Sequence, residues 1–171
     1  MMRRLLPCLC VLLFCATANF AQDYPKGDLT VGVTLNRFQT SVGRQNLFGG
    51  TVAPAINFRK WYALEGDLTF TSKNVDGITR SAFTYLIGPR FTKRSDNSKL
   101  EPFVHALFGG GHIHGIGGTN DGWAGKFGGG LDIVAGKNVA VRVGQVDYYR
   151  YRSDRFRLNN FAFTFGVKFF Q

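Results

Sequence analysis

Phe161-Ala162-Phe163-Thr164-Phe165-Gly166-Val167-Lys168-Phe169 decides the fold. Large apolar side chains hold every odd position and small or polar ones every even position. A period of two makes this a strand with one apolar wall. The same parity recurs backwards through Val139 to Tyr148, Trp123 to Ile133 and Pro102 to Phe108. Phe83, Tyr85, Ile87, Pro89 and Phe91 alternate with Ala82, Thr84, Leu86, Gly88 and Arg90. Leu64, Gly66, Leu68 and Phe70 alternate with Glu65, Asp67, Thr69 and Thr71, and Val52, Pro54, Ile56 and Phe58 with Ala53, Ala55, Asn57 and Arg59. Leu29, Val31, Val33 and Leu35, set against Thr30, Gly32, Thr34 and Asn36, complete eight segments. No window after residue 22 keeps a helical apolar stripe, and glycine, at 22 residues, is too frequent for helix interiors.

The two walls differ in chemistry. One is dominated by large aromatic and branched residues. The other mixes glycine, alanine and threonine with isolated charges: Arg59, Glu65, Asp67, Arg90, Lys126, Asp132, Arg142 and Lys168. A soluble sandwich buries its apolar wall and shows water long polar side chains. Small residues beside single charges fit a crowded, enclosed lumen instead. In hydrocarbon every backbone polar group must be paired internally, so strands cross only as a closed barrel. The expected fold is all-β: an eight-stranded antiparallel up-and-down transmembrane β-barrel, the smallest such barrel, with a lumen that side chains can fill.

Composition agrees. Aromatics make 15% of the chain and charged residues only 19%, which excludes a disordered tail. The longest apolar run, Leu5 to Ala16, contains Pro7 and falls short of the roughly 20 residues a spanning helix needs. That run lies in an expected signal peptide, residues 1–21, with Met1 to Arg4 as its basic start. Ala16-Thr17-Ala18 and Asn19-Phe20-Ala21 both offer small-x-small cleavage patterns, and the choice between them stays open. The barrel domain is then 22–171, and the formal charge falls from +10 to +8 once Arg3 and Arg4 leave. Cys8, Cys10 and Cys15 all lie in the signal, so the exported chain has no disulfide or thiolate chemistry. A lipoprotein cut at Cys15 is disfavoured by the bulky Phe14 before it.

Connection lengths alternate. Lys60-Trp61 and Gly136-Lys137-Asn138 are tight, and Thr92 to Leu100 is somewhat longer; these belong on the periplasmic side. Arg37–Gly49, Ser72–Thr79, Gly109–Gly122 and Tyr149–Asn159 read as long extracellular loops. One segment conflicts with its own parity: after Val139, Val141 and Val143, the apolar wall meets Gln145 and Asp147. A bulge that turns Val146 and Tyr148 outward resolves this.

Gly128-Gly129-Gly130-Leu131-Asp132-Ile133, then Ala140-Val141-Arg142-Val143-Gly144-Gln145-Val146-Asp147-Tyr148, then the Phe-alternating last strand resemble the OmpA-like family of outer-membrane barrel domains. The resemblance implies outer-membrane localisation, a plugged interior, and an assembly signal in Phe161, Phe163, Phe165, Val167 and Phe169. That signal would be met by periplasmic chaperones and the barrel-assembly machinery. Phe170 and Gln171 follow where a terminal aromatic is usual. No peptidoglycan-binding domain is expected after the barrel, so an anchoring role is not implied.

Charges in a narrow lumen cost several kcal/mol each if unpaired. Glu65, Asp67, Arg90, Asp132 and Arg142 are therefore expected to form an ion-pair network, with Arg59 and Lys168 as further partners. His105, inward on its strand, is expected to be a lumen hydrogen-bonder. Arg150, Arg152, Arg155 and Arg157 interleave with Tyr149, Tyr151 and Phe156; guanidinium forks match the phosphates of lipopolysaccharide, and no nucleic-acid role is expected of an exported barrel. His112, His114 and Asp121 lack the further ligands a metal site needs, so no metal or cofactor is expected. Ser72, Ser81 and Ser153 have no His-x-Ser pattern beside them, so lipid A hydrolysis and enzyme activity are not expected. Gly109–Gly111 precedes no helix and is no phosphate cradle. The function expected is that of a monomeric structural or surface-interaction barrel with, at most, small or gated permeability. The alternative is a soluble periplasmic, lipocalin-like barrel enclosing an apolar ligand, which would carry its aromatics inside.

Overall fold

The computed structural model describes residues 24–40, 43–75, 78–95, 97–115, 118–153 and 157–171. The strands are β1 (Gly27–Thr40), β2 (Gly43–Arg59), β3 (Tyr62–Val75), β4 (Ile78–Thr92), β5 (Leu100–Gly115), β6 (Gly118–Val134), β7 (Val139–Arg152) and β8 (Arg157–Phe170). Each pairs antiparallel with its neighbours in sequence, and β1 also pairs with β8 from Asp28↔Phe170 to Arg37↔Phe161, so the sheet closes. Closure leaves no strand edge unpaired, which is what a wall in hydrocarbon requires.

The apolar wall faces outward. Val33, Phe48, Ile56, Ile87, Phe108, Phe127, Phe161 and Phe165 are all more than half exposed, whereas Glu65, Arg90, Asp132, Asp147 and Lys168 have no exposed surface at all. This is the inverse of a soluble protein. It also removes the lipocalin-like alternative, which needs its aromatics inside.

The strands are longer than the alternation implied. Their ladders continue to Thr40↔Gly43, Val75↔Ile78, Gly115↔Gly118 and Arg152↔Arg157, so most of the four stretches read as long loops is strand. Beyond the hydrocarbon a wall need not be apolar, so parity fades while backbone pairing continues. In Gly109–Gly111 there are no side chains to show it. At the opposite end, which carries both termini, the connections are short, and Thr92 and Leu100 bound the longest of them.

Bulges reset parity twice. Arg142 pairs with Gly166 and Gln145 with Thr164, so Val143 and Gly144 together face Phe165. Gln145 and Asp147 thereby turn inward and Val146 and Tyr148 outward. The second bulge, between Asn57 and Arg59 on β2, overturns an expectation. Asn57 is buried inside, but Arg59, beyond the bulge, is exposed on the outer wall and is not a lumen residue.

Glycine makes room where the lumen is most crowded. Gly111 and Gly122 are register partners, and the Tyr151 ring lies over both. A methyl added at Gly122 would sit 2.7 Å from Tyr151 Cζ and 2.5 Å from the Arg152 carbonyl oxygen, which is backbone and cannot swing aside. Gly122→Ala is therefore expected to lower stability by roughly 1–3 kcal/mol in urea unfolding from lipid vesicles. Gly136→Ala, where an added methyl meets nothing within 4 Å, should stay within about 0.5 kcal/mol of the parent.

Candidate functional site

Inward-pointing residues from all eight strands meet in one hydrogen-bonded chain. Parity delivers most of them: Asp28, Asn57, Glu65, Arg90, Asp132, Arg142 and Lys168 each lie an even number of residues from a buried threonine or alanine on their own strands. The chain starts at the terminal end with Asp28 of β1. Arg90 of β4 donates from Nη1 to Asp28 Oδ1 (3.0 Å) and from Nη2 to Asp28 Oδ2 (2.5 Å), and its Nη1 also reaches Glu65 Oε2 of β3 at 2.7 Å. Asn57 of β2 donates to Asp28 Oδ2 at 3.0 Å. Glu65 Oε1 lies 2.8 Å from His105 Nδ1 of β5, and His105 Nε2 lies 2.9 Å from Asp147 Oδ1 of β7. Gln145 links Asp147 (2.7 Å) to Arg142 (2.6 Å). Arg142 grips Asp132 of β6 with Nε at 2.8 Å and Nη2 at 3.2 Å. Lys168 of β8 ends the chain as an ion pair with the second Asp132 oxygen. The Arg142 guanidinium also stacks 4.1 Å above the ring of Phe103, an aromatic that points inward.

A second group lies nearer the loop end. Lys126 donates to Asp67 (2.7 Å) and Thr69 (3.0 Å). Thr69 continues into a row of hydroxyls, Thr51, Thr34 and Thr164, with spacings of 2.6–2.8 Å. Past it the lumen is apolar: Leu47, Ala82, Leu86, Leu107, Ala124, Tyr149 and Tyr151 form a buried cluster with Ile113 and Leu158 against it. The Tyr151 hydroxyl donates to the Asn120 carbonyl at 2.7 Å. At the terminal rim, Arg94 faces Glu101 (3.4 Å) and Asp28 (3.7 Å), and its Nη1 donates to the Lys60 carbonyl at 3.1 Å.

The electrostatics close on themselves. Asp28, Glu65, Asp67, Glu101, Asp132 and Asp147 face Arg90, Arg94, Lys126, Arg142 and Lys168, with His105 between two carboxylates. The Glu65–His105–Asp147 bridge needs two hydrogens to make both contacts, wherever they reside. Counted with those protons, this set carries no net charge, the condition under which buried ions are tolerable.

Of the residues singled out from sequence, Glu65, Asp67, Arg90, Asp132, Arg142 and Lys168 all lie inside and are paired, but Asp67 sits in the Lys126 group rather than in the main chain. Sequence reasoning missed Asp28, Asp147, Gln145, Arg94 and Glu101 as members. Asp28 immediately precedes Leu29, and parity alone places it inside. Asp147 follows once the β7 bulge is accepted. The pairings themselves depend on strand stagger, which the sequence does not display.

On the outer wall near the loop end, Arg150 and Arg152 of β7 are exposed beside Trp123, in a cleft lined by Asp121, Gly122, Trp123, Arg150, Arg152 and Ser153. Arg155 and the Arg157 side chain lie outside the described residues. His112 Nδ1 bonds Asp121 at 2.6 Å, and His114 bonds Thr119 at 3.0 Å. Among the described residues no cluster suited to a metal is present. Ser81 stands opposite both Ser72 and His114 in the ladders. On β8, Phe161, Phe165, Val167 and Phe169 are exposed on the outer wall and Phe163 is half-buried there.

Arg90→Met would leave Asp28 and Glu65 buried without their guanidinium. Urea unfolding from vesicles should show a loss of about 3–5 kcal/mol. Arg150→Gln, on the exposed wall, should change stability by less than about 0.5 kcal/mol.

Solved structures share this architecture. Neisserial surface protein A aligns with a TM-score of 0.70 at 11% identity, over 88% of this chain and 100% of that one. Ail, the attachment invasion locus protein of Yersinia pestis, aligns at 0.58 and 15% identity, over 85% and 99%. The N-terminal β-barrel domain of Pseudomonas aeruginosa OprF aligns at 0.58 and 14%, over 86% and 98%. At such identities the likeness is one of fold. No curated protein matches the sequence. The family model described as the outer membrane protein beta-barrel domain matches residues 7–169, and the chain belongs to that family.

Proposed function

We propose that this outer-membrane barrel serves a structural or surface-interaction role and that its lumen is plugged, with at most small or gated permeability. The observation that carries this reading is the buried chain of ion pairs and hydrogen bonds from Asp28 to Lys168, to which seven strands contribute a charged side chain or His105 and β2 contributes Asn57. An ion crossing the barrel would have to displace charges that satisfy one another, and then pass the Leu107–Tyr149–Tyr151 cluster. Each displaced pair leaves an uncompensated buried charge, costing several kcal/mol. The chain reaches the membrane through the signal at residues 1–21, and the outward aromatics of β8 present the assembly signal to chaperones and the barrel-assembly machinery. It acts as a monomer. No metal, cofactor or reaction belongs to it.

Surface interaction is the reading that remains when passage is blocked, and two of the fold neighbours are named for surface or attachment roles. The outer-leaflet contact falls to Arg150 and Arg152, joined by Arg155 and Arg157, because guanidinium pairs beside an indole suit lipopolysaccharide phosphates at the interface. Among the described residues neither Arg150 nor Arg152 has a carboxylate partner, whereas the lumen arginines all do.

Refolded protein in planar bilayers should give no steady conductance, and only rare, small openings; a steady, wide conductance would overturn the plug. Arg150→Gln/Arg152→Gln should weaken binding of purified lipopolysaccharide to the detergent-solubilised barrel about tenfold. Unchanged binding would remove the lipopolysaccharide contact.

A further inference from the structure

Arg59 fits the lumen by parity and is nevertheless outside. The β2 bulge places it opposite Tyr62, which in turn pairs with Phe91, so Arg59, Tyr62 and Phe91 form a row across the outer wall of β2, β3 and β4. Around that row is a four-ring cluster. Trp61 stacks on Phe91 (5.9 Å between centroids, 13° between planes), Phe58 stacks on Tyr62 (5.9 Å, 28°), and Tyr62 and Phe91 lie 5.4 Å apart. Trp61 is 58% exposed and Phe58 52%. Lys93 follows Phe91 by two residues and is exposed, with Thr92 between them turned inward. The Thr92 amide donates to the Trp61 carbonyl at 2.9 Å, which holds the Lys60-Trp61 turn against the end of β4. Arg94 clamps the same turn from the lumen side through the Lys60 carbonyl.

Among the described side chains, charge at this end is one-sided. Lys26, Arg59, Lys60, Lys93, Lys99 and Lys137 lie at the terminal rim, and no described Asp or Glu side chain there is exposed. Asp28 and Glu101 are taken into the lumen by Arg90 and Arg94. Among the described residues Arg59 and Lys93 make no ion pair. A pair of unneutralised cations set at the foot of an exposed aromatic cluster matches a molecule with an anionic head and hydrocarbon tails.

The geometry points to a binding site for an acidic phospholipid of the inner leaflet, with its phosphodiester between Arg59 and Lys93 and its acyl chains along Trp61, Tyr62 and Phe91. Rings of this kind settle at the headgroup level, and each cation near an anionic headgroup adds to retention. The site needs only that the barrel stand in a bilayer. It depends neither on the lumen plug nor on the Arg150–Arg152 surface.

The chain has 2 tryptophans, so Trp123→Phe leaves Trp61 as the only indole. In vesicles of phosphatidylcholine containing a small fraction of brominated lipid, Trp61 emission reports which lipid sits beside it. Brominated phosphatidylglycerol should quench at least about threefold more strongly than brominated phosphatidylcholine at the same mole fraction, and about 1 M salt should abolish the difference. Arg59→Gln/Lys93→Gln should abolish it too, each single substitution should remove part of it, and Arg150→Gln/Arg152→Gln should leave it intact. The unboiled gel mobility of each folded barrel checks that the wall is intact. Equal quenching by the two lipids in the parent, a preference that survives in Arg59→Gln/Lys93→Gln, or one lost equally in Arg150→Gln/Arg152→Gln would each overturn the site.

Discussion

A strand in hydrocarbon has no water to satisfy its N–H and C=O groups, and the rest of this structure follows from that constraint. The ladder must close, so β1 finds β8. Closure divides every strand into a lipid wall and a lumen wall, and a narrow lumen admits little water. Any charge on the lumen wall must then find a partner on another strand. The ion-pair chain from Asp28 to Lys168 is the consequence, and it feeds back on the fold, because the pairs form only at one stagger of the strands. A one-residue slip of β4 would turn Arg90 into lipid and leave Glu65 in the lumen without it.

That constraint also decides what the sequence reveals. β4 and β8 are legible because their walls differ sharply, ring against threonine or glycine. The Gly109–Gly111 stretch is not, since a glycine marks neither wall, and the strand ends are not, since past the membrane surface the lipid wall may be polar. The two bulges make the clearest contrast. At Val143–Gly144 the unbulged register would press Gln145 and Asp147 into hydrocarbon, a conflict visible in the sequence. At Asn57–Arg59 both registers place Arg59 somewhere chemically acceptable, in a charged lumen or at a polar interface, so nothing in the sequence betrays the slip. Parity marks charges such as Glu65, Arg90 and Asp132 as lumen residues one by one, but not Arg94 or Glu101, and it shows none of the pairings. Parity gives a wall, whereas a partner across the barrel depends on shear.

The division of charge links interior to exterior. Among the described residues, Asp121 has the one acidic side chain on the surface; the other acidic side chains are drawn into the lumen. Among the described side chains the exposed charge is therefore mostly cationic at both ends, with Arg150 and Arg152 beside Trp123 at one and Arg59 and Lys93 beside Trp61 at the other. Both leaflets of an outer membrane present phosphate, so the same allocation that neutralises the lumen suits the protein to its two interfaces.

The central claim is that adjacent residues of one strand stand in different media, lipid on one side and a packed lumen on the other. Thr164 and Phe165 test it directly, because the chain after residue 21 has no cysteine of its own. Each is replaced singly by cysteine in the folded barrel in vesicles and treated with a bulky water-soluble maleimide and with a lipid-soluble one. The Phe165 position should react only with the lipid-soluble reagent, and the Thr164 position with neither until the barrel is unfolded. Rapid labelling of the Thr164 position by the water-soluble reagent in the folded protein would contradict it.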